Sequence, residues 1–282
     1  MKMKFLNIII FFSLGFSNFI GMNTGARSLA MGNTFIPLEN NSESIFYNPA
    51  GIAMNNQFIL LGSHQKLYDL NDLYNDMLVI SIPTPLFRTG FAIQQTRLLN
   101  VYKEQIVYIS FASIVRMKNM PVRFGTSIKF SSVKVKNYES ANNPSNYDVD
   151  FGFLVDITTN LFFSYSMQNI LQPSFKFISI SEKIKSRHRV GLCHNWRNSV
   201  NFVTDYVFTD INDGEWNLGS EIWFFDVFAA RIGMYDEKLT IGFGLKTNNW
   251  LIDAAILSNE NLGSTYRISM GIQFDKLFKK NN

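Results

Sequence analysis

Regular alternation of apolar and polar side chains constrains the fold of this chain more than any other feature. From about Met120 to Phe274 the sequence repeats a unit of about ten residues in which every second side chain is apolar. In the last unit the apolar parity is Tyr266, Ile268, Met270, Ile272 and Phe274, and the other is Arg267, Ser269, Gly271 and Gln273. Side chains alternate across a strand, so one face needs an apolar medium and the other a polar one. One such strand also fits a half-buried soluble sheet, but the repetition favours a membrane.

The repeated segments predict a closed barrel. A tilted strand of roughly 9–11 residues crosses a bilayer, and closure leaves no unpaired backbone in lipid. We predict an all-β fold, a transmembrane antiparallel β-barrel of about 14 strands. The predicted strands are 57–65, 77–84, 89–98, 104–117, 120–137, 146–157, 160–169, 187–196, 199–209, 215–225, 227–236, 239–248, 250–258 and 265–275. Short connectors after the even-numbered strands predict a periplasmic turn rim, with both termini in the periplasm.

The composition agrees with a barrel in the bacterial outer membrane. The chain has 46% hydrophobic, 15% aromatic and 17% charged residues, and its mean hydropathy is +0.01. Away from the N-terminus no run approaches about 18 apolar residues, so transmembrane helices are not expected. The formal charge is only +4 and no basic stripe is interleaved with aromatic residues, so no nucleic-acid partner is expected.

The ends of the chain predict processing and a tail. Residues 1–17 have a basic start, an apolar stretch and small residues Gly15 and Ser17, as in a secretory signal peptide. An uncleaved anchor is the alternative. We assign 18–56 to an N-terminal hatch or plug, 57–275 to the barrel and 276–282 to a periplasmic tail. The single cysteine, Cys193, lies within a strand pattern and is assigned to packing.

The polar parity predicts the side chains of the lumen. Arg or Lys facing lipid at mid-bilayer would cost about 2–4 kcal/mol, so confinement of charge to one parity indicates a polar interior. Two interpretations stay open: these charges line a conduit, or their ion pairs fill and stiffen the lumen, which we favour. The predicted lumen charges are Asp148, Asp150, Arg189, Asp205, Glu221, Arg231, Lys246, Asp253 and Arg267.

Two local features complete the strand analysis. In the fifth strand the apolar parity changes between Phe130 and Val133, which predicts a β-bulge at Ser131 and Ser132. The loop 170–186 is the longest and carries apolar residues, so we expect it to fold over or into the barrel mouth.

Catalytic and metal-binding patterns are not found in the sequence. His188 and His194 have lipid-facing parity, and His64 stands alone at the end of the first strand, so no pair of nucleophile and base emerges. Acidic residues lack the spacing of a calcium loop. We therefore predict a protein that is not an enzyme, with no cofactor and no bound metal.

The segment before the first strand carries two motifs. The first is Gly25, Ala26, Arg27, Leu29, Met31 and Gly32, and the second is Asn48, Pro49, Ala50 and Gly51. Together with the pattern from Ile241 to Phe274, they resemble the FadL-like outer-membrane proteins, and more closely their PorV/PorQ relatives. The resemblance implies a fourteen-stranded barrel with an N-terminal hatch in the lumen, in which Asn48, Pro49, Ala50 and Gly51 belong to the hatch.

The resemblance implies two functions. Some family members import hydrophobic compounds, which makes a hydrophobic small molecule that passes a hatch-gated lumen the leading hypothesis. Another member belongs to the type IX secretion system, so an accessory or docking protein for exported proteins is the alternative. The expected partners are outer-membrane lipid and either a hydrophobic small molecule or secretion-machinery proteins. A general diffusion porin is disfavoured by the plug.

Overall fold

Fourteen strands form a closed barrel in which sequence neighbours pair in antiparallel fashion, and this confirms the predicted fold. The computed structural model describes residues 24–35, 37, 41–68, 70–84, 86–117, 120–136, 143–176, 181–210, 212–259 and 263–274. The predicted signal peptide and the predicted C-terminal tail lie outside these residues.

The barrel strands follow the chain order around the wall, and the last strand closes on the first. A separate two-stranded hairpin, β8 and β9, lies between β7 and β10. The strands are β1 Phe58–Lys66, β2 Leu73–Pro83, β3 Arg88–Leu98, β4 Tyr102–Met117, β5 Met120–Val135, β6 Ser145–Asp156, β7 Leu161–Gln168, β8 Ser174–Lys176, β9 Ser181–Lys183, β10 Arg187–Trp196, β11 Val200–Thr209, β12 Asn212–Phe224, β13 Phe228–Tyr235, β14 Lys238–Lys246, β15 Trp250–Leu257 and β16 Thr265–Phe274.

The outward face of the wall is an apolar belt, as a bilayer requires. On β16, Ile268 is 60% exposed while the neighbouring Arg267 is 1% exposed. This alternation follows from the strand period and recurs around the barrel. The aromatic residues Tyr147, Trp196, Trp216 and Trp250 are exposed at the two ends of the strands, where interfacial aromatic residues lie in transmembrane barrels.

The predicted bulge in β5 is wrong. Pairing between β4 and β5 runs without a register shift from Tyr102 opposite Val135 to Met117 opposite Met120. Val133 is fully buried on the inward face, where it packs against Phe175 and Ile184 of the loop 170–186. The parity of apolar residues changes because this loop covers the inner wall, as expected for a loop folded into the mouth. A register shift occurs in the pairing of β11 with β12, where Val207 lies opposite Glu215 but Thr209 lies opposite Asn212.

The chain before β1 forms three short helical elements inside the barrel. Helix α1 is Ala26–Ala30, and two 3-10 helices follow at Ser42–Phe46 and Pro49–Met54. No helix in the described part of the chain is both long and apolar enough to cross a membrane. We call residues 24–55 the plug segment, because its described residues are buried and contact inward-facing side chains of the wall.

Candidate functional site: the plug segment and the two-sided lumen

The second motif of the plug segment is seated on β5, β6 and β7. The Asn48 side chain caps the second 3-10 helix by accepting a hydrogen bond from the backbone N–H of Ala50 at 3.0 Å. Its Nδ2 donates to the carbonyl oxygens of Phe153 and Tyr165, at 3.2 and 3.1 Å. Asn48 thus fixes the start of the helix and also ties the plug segment to the wall.

Two glycines on adjacent strands make room for this seat. Gly125 of β5 lies opposite Gly152 of β6. A Cβ on Gly152 would lie 2.0 Å from Oδ1 of Asn48, and one on Gly125 would lie 2.3 Å from the carbonyl carbon of Pro49. Only a residue without a side chain allows the backbone of the plug segment to approach the wall so closely.

The first motif joins an ionic network on the opposite wall. Arg27 donates two hydrogen bonds to the Glu221 carboxylate, at 2.9 and 2.7 Å. The same carboxylate accepts from Arg231 at 2.6 Å and from Asn201 at 2.9 Å. Arg231 also donates to Asp253 at 2.6 Å. Three predicted lumen charges, on β12, β13 and β15, are therefore linked to one another and to the plug segment.

A second ionic contact holds the plug segment further along its chain. Arg189 of β10 forms an ion pair with Asp205 of β11, and both side chains are buried. Asp205 also accepts a hydrogen bond from the backbone N–H of Phe35, and Arg189 donates to the carbonyl of Asn33 at 2.9 Å. These two wall charges therefore satisfy plug backbone groups that would otherwise be unpaired.

Glu43 braces the plug segment internally. Its carboxylate accepts hydrogen bonds from the backbone N–H and the hydroxyl of Ser28, at 3.0 and 2.6 Å. This joins the first 3-10 helix to α1. Gly25 lies directly against the carboxylate and has a φ of 92°, a conformation that favours glycine. Burial raises the pKa of Glu43, and the hydrogen bonds from Ser28 only partly oppose this.

The other side of the lumen is apolar. Phe46 and Ile52 of the plug segment belong to one buried cluster with inward-facing residues of the first four strands. The wall residues of this cluster on those strands are Ile59, Leu61, Met77, Val79, Ala92, Ile106, Tyr108 and Ala112. Phe46 meets Tyr108 edge to face at 5.1 Å between ring centroids. The lumen thus has an apolar cluster on β1–β4, bordered by buried polar residues such as Gln94 and Glu104, and a charged side on β10–β16. We call the sector of this cluster the apolar side.

The apolar side was missed by reasoning from the polar parity. The signal was available: β1 begins Phe58-Ile59-Leu60-Leu61 and β2 contains Met77-Leu78-Val79-Ile80, which are apolar on both parities. A strand that is apolar on both faces is buried on both faces. In a barrel, this predicts that something apolar lies against the inner wall.

The remaining predicted lumen charges take other positions. Lys129 lies 2.7 Å from Asp150 and 3.8 Å from Asp148, and these carboxylates accept the backbone N–H groups of Asn169 and Leu171. They therefore hold the base of the loop 170–186. Arg267 donates to Asn75 Oδ1 at 2.9 Å. Lys246 lies 6.0 Å from the centre of the Trp223 ring.

The histidines do not form a catalytic arrangement. The prediction that His64 stands alone is wrong, because its Nδ1 lies 2.6 Å from an Asp76 oxygen. His188 lies 3.5 Å from Asp210, but the Ser186 hydroxyl donates to Asp210 and not to His188. That hydrogen bond from Ser186, aided by His188, lowers the pKa of Asp210. Among the described residues no group of three or more His, Cys, Asp or Glu could hold a metal ion.

Solved structures with a similar fold include a hydrocarbon channel, a toluene transporter and a FadL homologue. The CymD monoaromatic hydrocarbon channel aligns with a TM-score of 0.63 at 11% identity, over 89% of this chain and 96% of CymD. The toluene transporter TodX of Pseudomonas putida aligns with a TM-score of 0.61 at 10% identity, over 89% and 97%. A FadL homologue of Pseudomonas aeruginosa gives 0.57 at 11%, over 89% and 98%. No protein-family model and no curated protein sequence matches this chain.

These alignments establish the fold. The chain is a closed fourteen-stranded β-barrel with the fold of CymD, TodX and the FadL homologue. The closer relation to PorV and PorQ stays a prediction.

Proposed function

We propose that this barrel carries hydrophobic small molecules across the outer membrane, with the plug segment as the hatch. The observation that supports the proposal is the two-sided lumen. Its charged side is linked to the plug segment by ion pairs, and its apolar cluster packs against Phe46 and Ile52 of the plug segment. Polar contacts on that side are at the end of the plug segment, where Asn55 donates a hydrogen bond to Ser81 at 2.9 Å. An apolar molecule gains most where it replaces apolar contacts, because no polar group is then left without a partner.

The substrate class follows from the same surface. The cluster on the first four strands offers aliphatic side chains and one aromatic ring, Tyr108, and buried polar residues of these strands such as Gln94 and Glu104 lie nearer the end of the barrel away from the termini. Such a wall suits a compact hydrocarbon. The structures aligned above include a monoaromatic hydrocarbon channel and a toluene transporter, which agrees with this choice of class.

Uptake by whole cells tests the proposal. Cells without a hydrocarbon importer of their own would express the wild type, a Val79→Thr variant of the apolar side, or a Val207→Thr variant on β11. Both positions are inward-facing and buried, at 1% and 5% exposure, so they are matched in shape and burial. A hydroxyl on the apolar side costs an apolar ligand roughly 1–3 kcal/mol, so we expect about tenfold slower toluene uptake with Val79→Thr only.

The outcome that contradicts the proposal is equally specific. If the wild type takes up neither toluene nor oleate faster than cells without the barrel, the protein does not carry such compounds. If both variants slow uptake equally, the apolar side of the lumen is not the path.

The second candidate function is docking of exported proteins without transport of small molecules. The observation that favours it is the ionic network itself, because a plug segment held by buried Arg27, Glu221 and Arg231 resists opening. Purification of the barrel in mild detergent tests this function. A bound secretion partner, together with loss of secreted proteins on deletion, would support docking, and an isolated barrel with an unchanged set of secreted proteins would oppose it.

A further inference from the structure

Cationic residues line one sector of the outward face at the loop rim, the end of the barrel away from the termini. Lys66, Tyr74, Arg97, Lys103 and Lys134 lie on β1 to β5, one residue on each strand, and each is directly opposite the next. They belong to the parity whose other members form the apolar belt. Neighbouring strands are about 4.8 Å apart, so the row brings several positive charges close together.

The charges of this row are only partly neutralised by the protein. Arg97 forms an ion pair with Asp76 at 2.9 Å, and Lys66 donates to Asn71. Among the residues that the structure describes, no carboxylate forms an ion pair with Lys103 or Lys134. Like charges directly opposite each other on neighbouring strands are destabilising. An anion from outside the protein would relieve this repulsion.

The rows below the cations change in a consistent order toward the middle of the membrane. The next row is also in register, and its side chains are polar groups that can form hydrogen bonds: His64, Asp76, Gln95, Gln105 and Ser132. The row after that is apolar apart from one glycine: Gly62, Leu78, Ile93, Val107 and Phe130. Successive rows are about 6.6 Å apart along the strands. The face therefore passes from cations to polar groups to apolar side chains within about two steps.

This gradient is confined to one side of the barrel. At the same rim on β10 to β16, the outward side chains are a histidine followed by aromatic and aliphatic residues. They are His188, Phe208, Trp216, Met234, Leu239, Ile256 and Tyr266. A cationic row on the outward face of the wall is thus a feature of the β1–β5 sector and not of β10–β16.

We propose that the β1–β5 face is a binding site for a phosphorylated glycolipid of the surrounding leaflet. Phosphoryl groups would lie against Arg97, Lys103 and Lys134, and sugar hydroxyl groups would contact the Gln95 and Gln105 amides. The acyl chains would lie along the apolar row. A glycolipid fits better than a simple phospholipid, because the polar row spans five strands and offers the Gln95 and Gln105 amides and the Ser132 hydroxyl to a wide headgroup, while its one carboxylate, Asp76, is paired with His64 and Arg97. The predicted orientation places this rim in the outer leaflet.

Native mass spectrometry of the purified barrel in detergent tests the site. The probe is diphosphorylated lipid A, and the test variant is Lys103→Gln with Lys134→Gln. Each cationic residue near an anionic lipid surface contributes to the free energy of binding, so the loss of two lysines should weaken lipid A binding by about thirtyfold. The matched control is Lys176→Gln with Lys183→Gln, which removes the same charge from exposed positions of the β8–β9 hairpin at the same rim. We expect the control to bind lipid A as the wild type does.

Two further arms identify the source of the phosphoryl group. Phosphatidylglycerol and inorganic phosphate are offered in place of lipid A, and a Gln95→Ala, Gln105→Ala variant reports the sugar contacts. The proposal is supported if lipid A binds more tightly than either alternative and if the glutamine variant weakens lipid A more than phosphatidylglycerol. It is overturned if the lysine variant and its control bind lipid A equally, if phosphatidylglycerol binds as tightly, or if inorganic phosphate displaces lipid A. Migration of the unheated barrel on a gel verifies that each variant is folded.

Discussion

The close contact between the plug segment and Gly125 of β5 predicts that one added methyl group would displace the plug segment. In Gly125→Ala, the new Cβ would lie 2.3 Å from the carbonyl carbon of Pro49 and 2.4 Å from the backbone nitrogen of Ala50. Both are backbone atoms, so no side chain can rotate away. Ordinary contact begins near 3.4 Å, and the plug segment must therefore move by about 1 Å. Overpacking of this kind costs about 1–3 kcal/mol.

Such a cost would change how often the plug segment leaves its seat. A mid-range value of about 2 kcal/mol corresponds to roughly a thirtyfold larger unseated population. The reporter is already in the chain: Cys193 is the only cysteine of the sequence, and it is 1% exposed in the buried cluster that includes Phe35 and Tyr47 of the plug segment. We expect a water-soluble maleimide to label Cys193 about thirtyfold faster in Gly125→Ala than in the wild type.

A second glycine provides the matched control. Gly62 lies on β1 with its missing side chain directed outward, and a Cβ there would meet its nearest neighbour at 3.8 Å. Both replacements reduce the flexibility of the unfolded chain in the same way. We therefore expect Gly62→Ala to leave the labelling rate unchanged. If Gly125→Ala also labels at the wild-type rate and melts at the wild-type temperature, the plug segment does not rest against β5 and the reasoning is refuted.

Three further predictions concern the charges and the loop. Glu221→Gln leaves Arg27 and Arg231 buried without their shared carboxylate, so we expect the free energy of unfolding to fall by about 3–5 kcal/mol in a urea titration. Arg27→Met should lower it by only about 1–2 kcal/mol. Equal losses in the two variants would contradict the network. Burial raises the pKa of Glu43 above its usual 4.5, so this group stabilises the fold at low pH and the contribution is lost as the pH rises through the raised value. Glu43→Gln should therefore raise the melting temperature at pH 8 and leave it unchanged at pH 4. Phe175→Ala should cost about 3 kcal/mol locally and make the loop 170–186 sensitive to protease, while the rest of the barrel stays resistant.

The strands were predictable from sequence because their signal is local. Each barrel strand was predicted with ends close to those observed; the largest differences are at β2, which begins at Leu73 and not at 77, and at β12, which begins at Asn212 and not at 215. The alternation of apolar and polar side chains along a strand shows which face meets lipid, and it can be recognised without knowledge of the rest of the fold. The error at Ser131 and Ser132 has the opposite origin. There the inner face meets an apolar loop, and no pattern within the strand identifies what will cover it.

The contacts of the plug segment were beyond prediction for a related reason. Arg27 and Glu221 are 194 residues apart in sequence, and only closure of the barrel brings them together. Parity identified Glu221 and Arg231 as inward-facing, but it did not show that a plug residue completes their network. The motif around Asn48 predicted a hatch by resemblance, but nothing in the sequence connects it to Gly125 and Gly152, the glycines of β5 and β6 against which it packs.

The difference between the two sides of the lumen predicts which contacts of the plug segment an apolar ligand would replace. Helix α1 is held by directional contacts: Arg27 on Glu221, the Ala26 N–H on Ser269, and the Gly32 N–H on Thr240. Separation of these groups without water would leave buried polar atoms unpaired, which costs about 1–3 kcal/mol for each. The side chains of Phe46 and Ile52 in the 3-10 helices pack on the apolar wall through dispersion contacts, which a hydrocarbon can replace, whereas Asn48 holds the second 3-10 helix to β6 and β7 by hydrogen bonds. We therefore expect an entering ligand to displace the apolar side chains of the 3-10 helices while α1 and the Asn48 cap stay anchored, so that toluene accelerates labelling of Cys193 in the wild type but leaves the Arg27 contact intact.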